Sequence, residues 1–321
     1  MDKIAVLIPC YNEEKTIENV VREFKRELPE AVIYVYDNNS TDKSMELAKY
    51  AGAVVRIERA QGKGNVIRRM FREIDAEVYI MVDADNTYNA SAARQMVDYV
   101  CNHQADMVVG DRLSSTYYQV NTRPFHNFGN MLVQKSINYL FHSKIKDIMT
   151  GYRAFSYEFV KTFPVLTKGF EIETEMTIHA IDKNMKIEQI TIDYQDRPQG
   201  SESKLNTYSD GLKVLATIIK LFSVYKPMKF YGVIGMILFL IAFLMMIPVM
   251  NSYLRTGLVM RFPTLIVCGF MVIAGIQAFF SGMILHNLRQ KNRQDFEFRL
   301  QSAHDNYEER RSLESEKGEE S

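Results

Sequence analysis

Residues 79–86 join a short apolar run to two carboxylates, and no other stretch constrains this chain as strongly. Residues 79–82 are typical of a buried strand, and Asp83 and Asp85 follow them one residue apart. On an extended backbone, side chains at positions i and i+2 point to the same side. Two such carboxylates repel each other unless a cation lies between them. Because oxygen ligands suit Mg²⁺ or Mn²⁺, Asp83 and Asp85 are predicted metal ligands. A strand end followed by an Asx-type turn is the alternative for an isolated Asp-x-Asp.

Strand and helix patterns alternate through the first half of the chain. Apolar, β-rich runs predict strands with helical periodicity between them, and the runs are residues 4–9, 32–36, 53–57, 79–82 and 106–110. This repeat is typical of an α/β fold with a mostly parallel sheet and helices on both faces. Polar clusters follow four of the runs, at residues 11–13, 37–39, 83–85 and 110–112. Because the carboxyl ends of parallel strands meet at one edge, these clusters predict a nucleotide-type crevice.

Glycine placement and net charge narrow the function classes. A dinucleotide site needs a glycine fingerprint after the first strand, and residues 9–12 contain no glycine. Gly62 and Gly64 match that fingerprint weakly, and Lys63 between them is either a solvated charge or part of the nucleotide pocket. The 321 residues carry 39 basic and 39 acidic side chains, so nucleic acid is not an expected partner. The three scattered cysteines are expected to be reduced thiols, and no signal peptide is expected before the first strand.

The order and spacing of these motifs resemble family 2 of the inverting glycosyltransferases. The resemblance is carried by Ile8-Pro9-Cys10-Tyr11-Asn12-Glu13-Glu14, Asp37-Asn38-Asn39-Ser40-Thr41-Asp42, Gly62-Lys63-Gly64 and Asp83-Ala84-Asp85. It is extended by Gly110-Asp111-Arg112, Thr150-Gly151-Tyr152-Arg153, Arg197 and Ser203-Lys204. Within that family the chain is most similar to the polyprenyl-phosphate glycosyltransferases, over roughly residues 4–285. The resemblance implies a type-A glycosyltransferase fold, a mostly parallel Rossmann-like sheet.

Residue roles follow from this resemblance motif by motif. It implies that Pro9, Tyr11, Glu13 and Asp37 hold the nucleoside, while Asp83 and Asp85 hold Mg²⁺ or Mn²⁺ and the diphosphate. The whole nucleotide-sugar site would be Pro9, Tyr11, Asn12, Glu13, Asp37, Asn39, Lys63, Asp83, Ala84, Asp85, Arg197 and Lys204. The catalytic candidates are Asp83, Asp85, Arg112, Asp147, Glu175 and Arg197. The resemblance does not require a general base, because a phosphate oxygen is already a deprotonated nucleophile; Asp147 is a candidate for orientation or proton handling.

Basic side chains in the middle of the chain suit a phosphate. Arginine presents planar, paired donors, so Arg112, Arg123 and Arg153, with His126, are predicted to meet the acceptor phosphate; a solvated surface position is the alternative for any one arginine. Two positions depart from the family pattern: in Met149-Thr150-Gly151 many relatives have Ser before the Gly, and His126 lies near a position often occupied by Arg. Residues 195–207 are expected to form a mobile loop that closes Arg197 and Lys204 over the nucleotide.

Glu171, Glu173 and Glu175 begin a predicted helix, where the macrodipole favours acidic residues. An effect on the helix alone is therefore a strong alternative for all three. Glu175 matches the acidic position of the family pattern best and is assigned to the acceptor side.

The last third of the chain carries two long apolar stretches. Residues 230–250 and 263–285 are each long enough to span a bilayer, and residues 251–262 connect them as a hairpin. The basic residues flanking the hairpin place both ends in the cytoplasm by the positive-inside rule. The expected organisation is a catalytic domain at 1–206, an amphipathic interfacial helix at 207–228, two transmembrane helices within 229–287, and a charged, solvated tail at 288–321. The sheet core is expected to be complete before Phe230.

By resemblance, the chain is expected to move one sugar, glucose or N-acetylglucosamine, from a UDP-sugar, preferred over a GDP-sugar, to undecaprenyl phosphate. The expected location is the cytoplasmic face of a bacterial plasma membrane, with a small membrane flippase and a second copy of the chain as partners. A processive polysaccharide synthase is one alternative, although relatives of that type carry a tryptophan motif and this chain has no Trp. A non-catalytic membrane scaffold is the other, and the intact pair Asp83 and Asp85 argues against it.

Overall fold

The structure is a computed structural model that describes residues 1–114, 124–169, 171–193, 195 and 219–319, with the backbone alone for 124–130 and 314–319. The chain divides into two compact units, Met1–Thr207 with Phe296–Ser321, and Tyr208–Asp295. The first unit is built on a sheet, whereas the second holds the apolar helices.

A seven-stranded sheet forms the centre of the first unit, in the order β3-β2-β1-β4-β6-β5-β7. Its strands are β1 (Asp2–Cys10), β2 (Val32–Asp37), β3 (Val54–Ile57), β4 (Ala76–Met81), β5 (Met107–Asp111), β6 (Arg153–Ser156) and β7 (Ile187–Thr191). All neighbouring pairs are parallel except those of β6, which runs antiparallel to β4 and β5. The predicted mostly parallel sheet is therefore confirmed, and β6 and β7 are the two strands that lie outside the five predicted runs.

Helices cover both faces of this sheet. They are α1 (Ile17–Glu27), α2 (Ser44–Tyr50), α3 (Lys63–Glu73), α4 (Ala93–Cys101), α5 (Pro124–Phe141), α6 (Tyr157–Thr162) and α7 (Ile172–Asp182). Successive β1 side chains enter opposite cores: Val6 packs in the cluster that includes residues of α1, α2 and α4, and Leu7 in the cluster that includes residues of α3, α6 and α7. A strand buried on both faces reads as a continuous apolar run, which is why β1 could be recognised from sequence.

The end of the chain packs on the first unit, contrary to the expected solvated tail. Two long helices follow α7 in the second half of the chain, α8 (Pro227–Thr256) and α9 (Phe262–Glu319), and the last part of α9 makes this contact. In the second core cluster, Phe296 is 4 % exposed and Leu300 packs beside it. Apolar residues at positions 296, 300 and 303 recur at helical spacing, and this short face was hidden among many charges. The expectation that the core is complete before Phe230 is therefore wrong, because Phe296 and Leu300 belong to it.

The second unit contains α8 and the first part of α9, and both helices are long and apolar enough to cross a membrane. Their most apolar windows have mean hydropathies of 2.8 and 2.0 and are mostly unburied. The two helices approach closely at Gly235 and Gly275, where a Cβ on Gly235 would lie 3.0 Å from the Gly275 carbonyl oxygen. Of the predicted interfacial helix at 207–228, residues 207–218 lie outside the described residues, and 219–225 are helical.

Candidate active site

The polar clusters after β1, β2 and β4 lie together at one edge of the sheet. In the parallel register Cys10 is opposite Asp37, and Leu7 is opposite Met81. Since β4 lies beside β1 and ends two residues before Asp83, the side chains that follow these strands share the same edge. The strand order places β1 between β2 and β4, so the direction of winding reverses here, and ligands of such sheets bind at this point.

Backbone-directed hydrogen bonds tie the first two loops together. The amide of Asn12 donates to Ser40 Oγ over 2.8 Å, and Asn12 Oδ1 accepts from the Thr41 amide over 2.8 Å. The Glu13 amide donates to Ser44 Oγ over 2.8 Å. Asn12, predicted as a nucleotide contact, thus also positions a loop, and its φ of 53° is a left-handed conformation that asparagine tolerates.

The second loop also holds the segment before α3. Asn38 Nδ2 donates to the carbonyl oxygens of Glu58 and Ala60, both at 2.9 Å, and Asn38 Oδ1 accepts from the Gly62 amide at 2.7 Å. Asn39, another predicted nucleotide contact, donates through Nδ2 to the Arg59 carbonyl oxygen at 2.9 Å. The two asparagines therefore fix the entrance to the Gly62-Lys63-Gly64 turn.

Asp37 offers an unpaired acceptor at this edge. Its side chain is buried, and Oδ2 accepts from the Ser40 amide at 2.9 Å. Oδ1 is also buried and has no hydrogen-bond partner among the described residues. A buried carboxylate oxygen without a donor is unfavourable, so a ligand N–H or O–H group would stabilise this position. Pro9 and Tyr11 flank Cys10 at the end of the neighbouring strand β1, opposite Asp37, and Tyr11 is exposed.

Lys63 connects Asp83 to Glu173, a residue that is not among the predicted site residues. The ammonium group of Lys63 forms ion pairs with Asp83 Oδ1 and Glu173 Oε1. The side chains of Lys63 and Glu173 are 8 % and 6 % exposed, whereas that of Asp83 is 27 % exposed. Burial acts to lower the pKa of Lys63, but the two carboxylates outweigh it and the pKa is raised. Lys63 is therefore a buried cation at the site and not a solvated surface charge.

Glycines allow the backbone to approach this cluster closely. A Cβ on Gly64 would collide with the Thr167 carbonyl oxygen, and the Gly64 amide donates to the Lys168 carbonyl oxygen at 3.1 Å. A Cβ on Gly151 would likewise collide with the carboxylate of Asp83. At both positions the close approach explains the glycine.

Asp85 and its neighbours form the next part of the site along the chain after Asp83. Asp85 is buried, with Oδ1 accepting from the Thr87 hydroxyl at 2.7 Å, and Ala84 between the two acids is buried as well. The Tyr88 hydroxyl accepts from the Gly151 amide at 3.1 Å and from Arg112 Nη1 at 3.3 Å. Tyr88 thus links the segment after β4 to that before β6, and no local pattern in the sequence had marked it.

Arg112 and Asp147 form a largely buried ion pair, with Nε of Arg112 donating to Asp147 Oδ2 at 2.8 Å. The arginine side chain is 13 % exposed and the aspartate 2 %. Burial raises the pKa of Asp147, and the charge of Arg112 opposes this rise. The structure places both predicted catalytic candidates in one pair, linked to Asp83 through Tyr88 and Gly151.

The assignment of Arg153 to the acceptor phosphate is corrected by the structure. Arg153 lies in β6, is fully buried, and donates to the carbonyl oxygens of Ile148 at 2.6 Å and Thr150 at 3.0 Å, and to Thr177 Oγ1 at 2.8 Å. Its guanidinium therefore holds the loop that carries Asp147 and Gly151. Burial lowers the pKa of Arg153 to about 10.

Glu175 is likewise not part of the cluster around Asp83. Its carboxylate accepts from the Thr167 amide at 3.1 Å and from the Thr167 hydroxyl at 2.7 Å, so it caps the loop before α7. Side chains two residues apart on a helix point in different directions, and in α7 it is Glu173 that faces Lys63. The sequence showed only that three glutamates lie close together. The rotation of α7 about its axis decides which of them faces Lys63.

Four predicted residues have no described side chain. Arg123, Arg197 and Lys204 lie outside the described residues, and the side chain of His126 does too. Their assignments remain predictions.

The acidic groups fit a divalent cation that binds partly through its substrate. Asp83 and Asp85 bring carboxylate oxygens to one edge, and among the described residues no group of three or more His, Cys, Asp or Glu has the arrangement of a metal site. Mg²⁺ typically binds through one or two carboxylates, substrate phosphates and water. Formally, the carboxylates of Asp83, Asp85 and Glu173 against the ammonium of Lys63 leave two negative charges, which one divalent cation would balance.

Comparison with known proteins agrees with this geometry. The family model described as "Glycosyl transferase family 2" matches residues 5–163. Glycosyltransferase AglJ of Haloferax volcanii is 32 % identical over 235 residues, covering 73 % of this chain and 77 % of that protein. The dolichyl-phosphate hexose transferase of the same organism is 26 % identical over 220 residues, covering 68 % of this chain and 93 % of the relative.

Solved structures match the fold at low sequence identity. Glucosyl-3-phosphoglycerate synthase from Mycobacterium tuberculosis, solved with Mn²⁺, uridine diphosphate and phosphoglyceric acid, superposes with a TM-score of 0.54 at 20 % identity, covering 69 % of this chain and 78 % of that one. The type-A glycosyltransferase fold expected from the motifs is confirmed. The family match and the AglJ relative together show that this chain belongs to glycosyl transferase family 2, and it is a glycosyltransferase that resembles polyprenyl-phosphate sugar transferases.

Proposed function

We propose that this enzyme transfers one sugar, glucose or N-acetylglucosamine, from a UDP-sugar to undecaprenyl phosphate with inversion at the anomeric carbon. The observation that carries the proposal is the meeting of Asp37, Asp83 and Asp85 at one edge of the sheet. Asp37 there has a buried oxygen without a described partner, as a nucleobase N–H would require. The choice of UDP over GDP rests on the sequence resemblance.

Asp83 and Asp85 would hold Mg²⁺ or Mn²⁺ together with the donor diphosphate. When bound, the cation screens the negative charge that develops on the departing diphosphate. The side chains Pro9, Tyr11 and Glu13, with Asp37, orient the nucleoside, which fixes the sugar relative to the incoming nucleophile. The lipid phosphate oxygen forms the new bond to the anomeric carbon as the bond to the diphosphate breaks, so no side chain has to remove a proton.

Arg112 is the described arginine best placed to meet an anionic acceptor. It lies after β5, is linked to the Asp83 segment through Tyr88, and keeps 13 % of its side chain exposed. Asp147 binds Arg112 Nε and so fixes the guanidinium plane, from which the paired N–H donors suit a phosphate. In this proposal Asp147 orients Arg112 and does not act as a base.

The acceptor class is supported by the apolar helices and by a relative. Helices α8 and α9 are long enough to form a membrane hairpin, and the relative from Haloferax volcanii is named a dolichyl-phosphate hexose transferase. Basic residues on both sides of the hairpin favour termini and a catalytic unit in the cytoplasm of a bacterial cell, at the plasma membrane. A small membrane flippase and a second copy of the chain are the proposed protein partners.

The test is transfer from labelled nucleotide sugar to undecaprenyl phosphate by the full chain in detergent, with Mg²⁺, with Mn²⁺ and with excess chelator. We expect lipid-linked product with UDP-glucose or UDP-N-acetylglucosamine, and none with chelator. Asp85→Asn should lower turnover at least about 100-fold, the scale of losing a charge-stabilising group at a reacting centre. The matched control is Asp98→Asn on α4, an exposed aspartate, which should keep wild-type turnover.

Three results would contradict the proposal. Full turnover in excess chelator would show that the reaction needs no divalent cation. Full turnover of Asp85→Asn would show that the paired acids are not required. Product formation that is confined to a soluble acceptor would show that the lipid phosphate is not the acceptor.

A further inference from the structure

A single buried ammonium joins three separate segments at the donor side of the site. Lys63 is the first residue of α3, Asp83 follows β4, and Glu173 is the second residue of α7. The Lys63 side chain is 8 % exposed and that of Glu173 is 6 % exposed. Asp83 is the member of the three that reaches the open edge of the sheet, with 27 % of its side chain exposed.

The burial of Glu173 makes its pairing with Lys63 necessary. An ionised carboxylate out of contact with water is strongly unfavourable unless a positive partner compensates it. Among the described residues, the charged partner within ion-pair distance of Glu173 is Lys63. The ammonium is therefore shared between two carboxylates, one buried in the protein and one facing the site.

We propose that Glu173 is a positioning residue of the donor site, which keeps the Lys63 ammonium from pairing fully with Asp83 and so keeps Asp83 available to the diphosphate-bound cation. This inference rests on the proposed function, because it assumes that Asp83 meets a cation and a nucleotide. Glu173 acts through Lys63 and does not touch the donor itself.

The physical reason is competition for one positive charge. With Glu173 charged, the ammonium is attracted in two directions and only part of its interaction falls on Asp83 Oδ1. With an uncharged residue at position 173, Asp83 becomes the sole charged partner and the ammonium approaches it more closely. A divalent cation then has to compete with a resident cation for the same carboxylate, and its affinity falls.

The test is the binding of Mn²⁺ with UDP to the full chain in detergent, without acceptor, followed by the electron paramagnetic resonance signal of free Mn²⁺. We expect Glu173→Gln, which keeps the size of the side chain, to weaken Mn²⁺ binding on the order of 10- to 100-fold, as for residues that orient metal ligands. The matched control is Glu171→Gln, an exposed glutamate two residues earlier, which should leave Mn²⁺ binding unchanged.

A double-mutant cycle separates positioning from a plain charge effect. If Glu173 acts through Lys63, then Glu173→Gln should cause no further loss of Mn²⁺ affinity once Lys63→Met has removed the ammonium. A plain loss of negative charge would instead weaken Mn²⁺ binding by the same factor in both backgrounds, and this result would overturn the inference. Should Lys63→Met fail to fold, Lys63→Gln serves as the second background for the same comparison, and unchanged Mn²⁺ binding in Glu173→Gln alone would already overturn the inference.

Failure of this inference can be told from failure of the proposed function. Wild-type binding of Mn²⁺ and UDP with unchanged binding in Glu173→Gln would overturn the role of Glu173 and leave the donor site standing. Absence of Mn²⁺ binding by the wild-type chain in the presence of UDP would overturn the proposed cation site, and this inference with it.

Discussion

Arg153 and Lys63 are two buried cations that determine how the loops around Asp83 are held. Arg153 uses its guanidinium on backbone carbonyl oxygens and a threonine, so it fixes the loop before β6. Lys63 uses its ammonium on two carboxylates, so it joins α3 to α7 and to the end of β4. Both are basic residues in family motifs, yet one supports the backbone and the other supports a candidate metal ligand.

His179 is a third titratable group inside the first unit, and its buried ring nitrogen predicts an acid-sensitive stability. It lies in α7 among Phe159, Phe163 and Phe296, and its Nε2 atom has no hydrogen-bond partner among the described residues. Burial lowers the pKa of His179 from 6.5 to about 4, with the nearby charge of Lys183 acting in the same direction and that of Asp182 opposing it.

Because this pKa is depressed on folding, the neutral ring contributes full stability above pH 6.5 and loses it as the pH falls towards 4. We expect the free energy of unfolding of the first unit to fall by up to about 3 kcal/mol over that interval from this group. His179→Phe removes the titration and should flatten the profile. Thermal unfolding of both proteins between pH 7.5 and pH 4.5 measures the difference, and parallel profiles would contradict the assignment.

At the scale of elements, the C-terminal part of α9 is an integral component of the first unit. Phe296 lies against His179, with ring centroids 5.3 Å apart, and Lys183 Nζ lies 5.4 Å from the centroid of the Phe296 ring. Further along the helix, Arg310 pairs with Asp75 at 2.6 Å. An apolar anchor followed by charged contacts indicates that this segment is docked along its length.

Phe296→Ala should therefore destabilise the first unit, by about 3 kcal/mol, because a buried phenylalanine leaves a cavity when truncated. Phe298→Ala is the matched control, since Phe298 on the same helix is 71 % exposed and its loss should change stability by less than about 0.5 kcal/mol. Urea unfolding of the full chain, followed by circular dichroism, compares the two. Equal effects of both variants would show that the docked face does not stabilise the unit.

At the scale of the whole molecule, the proposed membrane hairpin gives a prediction independent of the chemistry. Leu240 and Leu244 lie inside α8 and are more than half exposed. Arginine at the centre of a spanning helix is unfavourable by about 2.5–3.5 kcal/mol per residue on insertion scales. Leu240→Arg combined with Leu244→Arg should therefore remove most of the protein from the carbonate-resistant membrane fraction.

The matched control is Leu254→Arg combined with Leu258→Arg, at leucines that are exposed near the end of α8 and outside the apolar stretch. This pair should remain in the membrane fraction, because arginine near a helix end reaches the interface. Loss of both variants from the membrane, or of neither, would contradict the hairpin.

Much of the fold could be predicted from the sequence because its information is local. The buried runs that became β1, β2 and β4 are continuous and apolar, and the residue that follows each is fixed by position alone. Asp83 and Asp85 therefore had to lie at the end of one strand and Asp37 at the end of another, whereas the order of these strands in the sheet came from the structure. The apolar stretches of α8 and α9 were equally evident from composition.

Tertiary structure alone decided the partners of the charged residues. Which of Glu173 and Glu175 faces Lys63 depends on the rotation of α7 about its axis, and Arg153 changed role because an antiparallel strand, β6, buries it between β4 and β5. Phe296 and Phe163 belong to the same core cluster although they are 133 residues apart in the chain. A sequence pattern indicates which side chains share one face of a helix or a strand, because the backbone repeat fixes this locally. An ion pair or a docked ring depends instead on segments that meet only when the chain is folded.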